Sequence, residues 1–253
     1  VESFLLKRSE MAALLMSLDG KGDHTPIQIV QQAWKKGHRK QVSSGRALPA
    51  FLSTDWPAVL EKLMKGQGLK GMSLQEAAAL GQLIPYAGLS ITAMQNWVKR
   101  DFKRYFESPK AGKKYSLEQA ALLFIIDDLK ASLDFESIRK LLGRLFGCGG
   151  EKSLLSPVDF YQAYSALFEE LDADGDQILD AAPSESVSGN GMESSLETKA
   201  REGASRYISG LSGLDEAEAE ALGNLLLIAV FSVQAAYFHS LSRRYSNATL
   251  FLN

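Results

Sequence analysis

The chain has 253 residues, with 28 Lys and Arg against 30 Asp and Glu, for a formal net charge of −2. Hydrophobic residues make up 45% and charged residues 23%, which excludes a disordered or collagen-like chain and leaves enough apolar material for a core. A single cysteine, Cys148, excludes an intramolecular disulfide, and the first residues, VESFLLKRSEMAALLMSLDG, lack the order of a secretory signal, so a cytoplasmic location is expected.

Residues 1–18 and 25–36 read as helices, separated by the turn Asp19-Gly20-Lys21-Gly22-Asp23. Residues 37–50 are basic and polar and read as a loop. Thr54 is expected to cap a short helix with Pro57 in its first turn and Ala58–Lys65 following. Gly66–Gly71 breaks the chain.

Ser73 with Glu76 three positions on is a capping box, in which each side chain satisfies a backbone N–H at the helix start. Pro85 and Gly88 interrupt again, and either Ser90 or Thr92 opens a helix that runs through Trp97. Pro109–Gly112 is turn material. Ser116 with Gln119 repeats the capping pattern ahead of an apolar helix, Leu117–Ser132. Asp134 with Ser137 starts another helix, ending near Gly147-Cys148-Gly149-Gly150.

Pro157–Leu171 is amphipathic. The segment Asp172–Glu197 carries seven acidic residues and no Lys or Arg, and is expected to be a flexible acidic loop because it buries too little to offset its ordering entropy. Helices over 198–211 and 215–245 follow. Asp215, Glu216, Glu218 and Glu220 suit the positive end of the last dipole, and Arg243 and Arg244 the negative end. Its apolar run Ala221–Phe238 nearly reaches the roughly 20 residues that span a bilayer. Asn224, Ser232 and Gln234 interrupt the run, so a buried core helix or a dimer helix is expected and no membrane partner.

The informative stretch is Gly88–Phe146. A Gly88-Leu89-Ser90 turn leads into a short helix with Thr92, Gln95, Asn96 and Lys99 on one face, while Ala93, Met94, Trp97 and Val98 face inward. Seven cations come next, Lys99, Arg100, Lys103, Arg104, Lys110, Lys113 and Lys114, opposed by Asp101 and Glu107. Amide side chains pair with adenine edges and cations neutralise phosphates, so this is either a duplex reader or a solvated charged face.

Leu89-Ser90-Ile91-Thr92-Ala93-Met94-Gln95-Asn96-Trp97-Val98-Lys99, then Lys113-Lys114-Tyr115-Ser116 and Leu117–Leu142, resemble a bacterial family, the domain of unknown function numbered 1836. Gly88-Leu89-Ser90, Tyr115-Ser116-Leu117-Glu118 and Phe135-Glu136-Ser137-Ile138 are also similar to landmarks of the MerR-type regulators. Ile84-Pro85-Tyr86-Ala87 departs from the tight turn usual there, and Phe106–Lys114 lacks the usual tyrosine-arginine wing strand. The resemblance implies an all-α helical bundle containing a MerR-like (winged) helix-turn-helix module. The segments would be 1–72 (N-terminal helical), 73–149 (the module) and 150–253 (C-terminal helical). It implies double-stranded DNA as partner, with Ser90, Thr92, Gln95, Asn96 and Lys99 in the major groove. Arg100, Lys103, Arg104, Lys110, Lys113 and Lys114 would lie on phosphate, and Tyr115 either on phosphate or packed. A homodimer through the C-terminal helices would match a palindromic site. The alternative is a helical interaction or scaffold protein that does not bind DNA.

Other constellations point to no enzyme, no metal and no cofactor. Asp172-Ala173-Asp174-Gly175-Asp176 opens like a calcium loop, but Gln177 and Pro183 stand where glycine and glutamate are needed. Gly66–Gly71 has phosphate-loop glycines without the following lysine. His24, His38 and His239 have no ligand partners at metal spacing. Asp127 and Asp128, adjacent in an apolar helix, are expected to cap or to pair with Lys130 or Arg139. A ligand pocket among the helices of 150–250 would make a small-molecule sensor, for which the sequence offers no chemistry.

Overall fold

The computed structural model describes residues 4–65, 69, 71–106, 114–147, 152–173 and 195–252. These residues form twelve α-helices, and the one β feature among them is an isolated bridge between Met72 and Tyr115. The chain forms two compact units, residues 1–128 and 129–253. The boundary falls within the 73–149 segment, at the end of one helix.

In the first unit, α1 (Arg8–Leu18) packs on α2 (Pro26–Gly37). A capping box of Thr25 with Gln28 starts α2, and Pro26 fits its first position, where no amide is needed. Residues 37–50, expected as a loop, contain α3 (Arg39–Ser43) and begin α4 (Ala47–Ser53). Neither buries a residue of its own, which is why no apolar periodicity marks them. They are held through aromatic contacts: Phe51 lies edge-on to Trp34 at 5.7 Å and 5.4 Å from Trp56, and His38 stacks on Trp34 at 4.4 Å. Thr54 ends α4 rather than capping the next helix. Its buried hydroxyl donates to the Ala50 carbonyl and accepts from Trp34 Nε1 at 3.0 Å.

After Pro57 comes α5 (Ala58–Met64), which packs on α2 and α6 (Leu74–Gly81). Ser73 and Glu76 form the expected capping box. Partial burial pushes the Glu76 carboxyl up, but the Lys62 ammonium and the Ser73 amide outweigh it and hold the group below its ordinary range. Next come α7 (Ile91–Asn96) and α8 (Leu117–Leu129), the latter capped by Ser116 with Gln119. From Ala120 to Ile126 every residue of α8 is buried, so it is the central rod of this unit.

In the second unit, α9 (Phe135–Phe146) starts at Asp134, whose carboxyl is held below its ordinary range by the Ser137 amide. The helices α10 (Pro157–Ala173), α11 (Ser195–Ser209) and α12 (Glu216–Leu252) pack on one another. The small residues Ala200, Gly203 and Ala204 bring α11 close to α10: a Cβ on Gly203 would stand 2.7 Å from Leu167 Cδ2. Both ends of the segment 172–197, expected as a flexible acidic loop, are helical. Residues 172–173 continue α10 and 195–197 begin α11, where Glu197 pairs with Arg201 at 2.8 Å. The rest of that segment, 174–194, lies outside the described residues, as do Cys148 and the glycine loop at 66–68.

The helix α12 meets the length and composition for crossing a membrane, and 44% of its apolar window is buried within the protein. Its inner face, with Leu222, Leu226, Ala229 and Val233, belongs to the core. From Ser242 to Leu252 every residue is exposed.

Candidate nucleic-acid interface

Ser90 is the residue that opens α7: its hydroxyl accepts from the Ala93 amide at 3.2 Å. That bond fixes the rotation of a very short helix. Thr92, Gln95, Asn96 and Lys99 fall at helical spacing and are all exposed, whereas Met94, Trp97 and Val98 are buried. Trp97 is 2% exposed and is a core residue.

The chain then leaves regular α geometry. Residues Trp97–Asp101 form a π turn, closed by the Phe102 amide on the Trp97 carbonyl at 2.8 Å, and Lys103–Tyr105 form a tighter 3₁₀ turn. The extra residue in the wide turn re-aims the side chains beyond it. It allows Trp97, Val98, Phe102 and Phe106 all to point inward, while Lys99, Arg100, Lys103 and Arg104 stay exposed. The Arg104 guanidinium folds over Tyr105, 4.7 Å from its ring centre, and donates to its hydroxyl.

Lys114 is exposed. Tyr115 is half-buried, edge-on to Phe106 at 6.1 Å, and its backbone exchanges both hydrogen bonds with Met72. So Tyr115 packs. A Cβ on Gly71 would stand 2.7 Å from the Tyr115 carbonyl oxygen, which explains a glycine beside that bridge. Lys110 and Lys113, with residues 107–113 of the expected wing segment Phe106–Lys114, lie outside the described residues.

The segment leading into α7 is anchored by Asp127 and Asp128, expected to cap or to pair with Lys130 or Arg139, and by Arg8, to which the sequence assigned no role. Arg8 is 3% exposed; its Nε lies 3.1 Å from one Asp128 oxygen and a terminal nitrogen lies 2.8 Å from the other. Its remaining terminal nitrogen donates to the Pro85 carbonyl at 2.9 Å. Asp127, also buried, accepts from the Gly88 amide at 2.8 Å. The adjacent aspartates thus serve two strands of one anchor, through Arg8, 120 positions away, and a backbone amide. Two aspartates in an apolar helix were the visible signal; their distant partner had none.

Between the two anchors lies Tyr86, with φ of +66°, the one non-glycine residue at positive φ among those described. The Ala87 amide bonds back to the Ile84 carbonyl, closing a turn with proline second and Tyr86 third. A positive φ at the third position favours glycine or asparagine, and another residue there costs about 1–2 kcal/mol. Tyr86 is 43% exposed.

Among the described residues no group of three or more His, Cys, Asp and Glu is placed to hold a metal ion. A shallow groove of about 620 Å³ runs along the polar face of α11, by Arg201, Ser205 and Arg206, and is open to solvent.

The molecule is thus an all-helical protein with a short, capped, cation-flanked helix displayed from an apolar core. A family described as a domain of unknown function, DUF1836, matches residues 78–164. The chain is also similar to the uncharacterized protein YkrK of Bacillus subtilis (strain 168), with 36% identity over 170 residues, covering 66% of this chain and 70% of that one. The chain belongs to the DUF1836 family. No solved structure matches it.

Proposed function

We propose that this chain is a non-enzymatic, cytoplasmic DNA-binding transcriptional regulator, in which residues 73–149 act as a MerR-like helix-turn-helix module. The observation that carries the reading is the division of residues 90–104. The amide and hydroxyl side chains Thr92, Gln95 and Asn96 and the cations Lys99, Arg100, Lys103 and Arg104 are exposed together, over a buried Met94, Trp97, Val98 and Phe102. Amides read adenine edges, and the flanking cations bind phosphate at any sequence. Affinity for a duplex drawn from a randomised pool should fall by about 10³ or more between 50 and 200 mM salt. Converting Gln95, Asn96 and Lys99 together to alanine should abolish selection. No binding at low salt, or binding that survives the triple variant, ends this reading.

Two copies would join through α12. Ala221, Ile228, Phe231, Ala235, Phe238 and Tyr245, with Asn224 and Ser242 in the gaps, follow an alternating spacing of three and four residues, and none is buried. That is coiled-coil spacing, on the side away from the core face. In an antiparallel pair centred on Phe231, which meets its own copy, Asn224 meets Phe238, Ala217 meets Tyr245 and Ile228 falls within one residue of Ala235. Phe231→Asp with Phe238→Asp should convert a dimer to a monomer by light scattering; an unchanged mass removes this element.

A second reading, an interaction or scaffold protein, is favoured by α4, where Leu48 is 68% and Leu52 74% exposed. Leu48→Asp with Leu52→Asp would then release a bound protein partner from a chain that retains no nucleic acid.

A further inference from the structure

We propose that α3 and α4 form a docking surface for an acidic amphipathic helix of a partner protein, with Leu48 and Leu52 as apolar anchors and Arg39, Lys40 and Arg46 as a cationic rim; this rests on the α4 surface of the second reading above. From His24 to Thr54 the chain carries five Lys and Arg and no Asp or Glu, in a protein whose formal net charge is −2. Lys36 is neutralised by Glu10 at 3.3 Å. Lys35, Arg39, Lys40 and Arg46 are exposed, and none of them is in an ion pair among the described residues. The same stretch leaves Leu48 68% and Leu52 74% exposed, with Val42 and Phe51 partly so. Uncompensated positive charge around protruding leucines is complementary to a helix with an apolar ridge and acidic flanks.

The surface is small and held in place. Phe51 lies against Trp34 and Trp56 and so fixes the rotation of α4, on which Leu48 and Leu52 stand one turn apart. The Arg46 amide bonds the Gln41 carbonyl at 2.8 Å and the Gly45 amide bonds the Val42 carbonyl, so a closed turn joins α3 to α4, and the two pack together. Helices of five and seven residues are about 7 and 10 Å long, so a docked helix of about three turns spans both. Over that span the rim acts on acidic flanks within about one Debye length, roughly 8–10 Å, without any fixed ion pair. Other occupants fit less of the surface. Two leucines bury less than the single acyl chain that itself holds a bilayer only marginally. A duplex backbone would meet the cations and leave Leu48 and Leu52 in water.

The test uses the full-length chain and a displayed pool of helical peptides with Leu fixed along one face and every flanking position free to be Glu, Lys, Gln or Ser. Recovered peptides should be enriched in Glu, and their binding should weaken as salt rises. Arg39→Gln with Lys40→Gln and Arg46→Gln should lower affinity about tenfold at low salt and flatten that salt dependence. Leu48→Gln with Leu52→Gln should remove binding and leave Tm at the wild-type value, since both positions are exposed. Peptides recovered without Glu enrichment, or unchanged affinity in the charge variant, overturn the acidic partner while leaving α4 a docking site. Binding that survives the leucine variant, a clear drop in that variant's Tm, or a pool that yields no peptide removes the α4 surface as well. Sedimentation with phosphatidylserine vesicles in place of peptide binding would assign the surface to a membrane, and duplex retention lost in the charge variant would assign the cations to phosphate; either result overturns the proposal.

Discussion

Residues 1–128 and 129–253 bury different kinds of polar group. Among the described residues the buried polar ones are Arg8, His38, Thr54, Asp127 and Asp128 in the first unit and Ser165 and Ser232 in the second. The first unit uses them at places where short or irregular elements meet: the aspartates at the turn before α7, Thr54 and His38 under α3 and α4. The second unit joins four helices of 12 to 37 residues along apolar faces. A long helix presents a stripe wide enough to fix its place by packing alone. A six-residue helix such as α7 does not, and directional bonds must hold it.

That contrast breaks down if removing a polar anchor from the first unit costs no more than removing one from the second. Asp128→Ala should cost about 3–5 kcal/mol in urea unfolding, since it strands a buried Arg8. It should also speed hydrogen exchange at 85–91. Leu226→Ala, in the fully buried centre of α12, should cost about 2–5 kcal/mol by leaving a cavity, with exchange rising across the second unit and no local focus. Equal, diffuse exchange in both variants would contradict the division between the units.

Ser232 sharpens it from the other side. Its hydroxyl donates to the Ile228 carbonyl and lies 2.5 Å from the Ser132 hydroxyl, which is itself exposed and able to turn to water. Ser232→Ala should therefore cost only about 1 kcal/mol, measured by the same unfolding; a loss as large as that of Asp128→Ala would give the second unit a polar anchor of equal weight.

The smallest effect is a pH dependence. The Glu76 carboxyl titrates below its ordinary range in the folded chain, so its contribution is present above that range and is lost as pH falls through it. Thermal melts of Glu76→Gln should show a lower Tm than the wild type near neutrality and a shallower loss of Tm on acidification, the two curves converging as pH falls. An identical slope would mean that Lys62 and the Ser73 amide do not hold that carboxylate.

The helices that can be read from the sequence are those whose ends carry their own chemistry. Thr25, Ser73, Ser116 and Asp134 each bond the amides three positions on, and all four starts are visible as residue spacings. The inward Met94, Trp97 and Val98 and the outward Gln95 and Asn96 are visible for the same reason. The features that escape depend on distant partners or on backbone hydrogen bonding alone. Nothing near Arg8 announces Asp128, and the π turn at Trp97–Asp101 exists only as a bond from Phe102 to Trp97. The positive φ of Tyr86 is hidden because tyrosine is not the residue that such a turn advertises. Helices α3 and α4 escape because neither buries a residue, and α4 is held by the contacts of one partly exposed ring, Phe51, with Trp34 and Trp56.

The far end of α12 has a consequence for measurement. A helix of 37 residues is about 55 Å long, and every residue of its final turns, Ser242–Leu252, is exposed. Short helical stretches standing alone in water open readily, so these turns should fray in dilute solution and firm up when something lies against them. Their amide exchange is thus a gauge of occupancy carried by the molecule itself, readable across a dilution series without label or substitution.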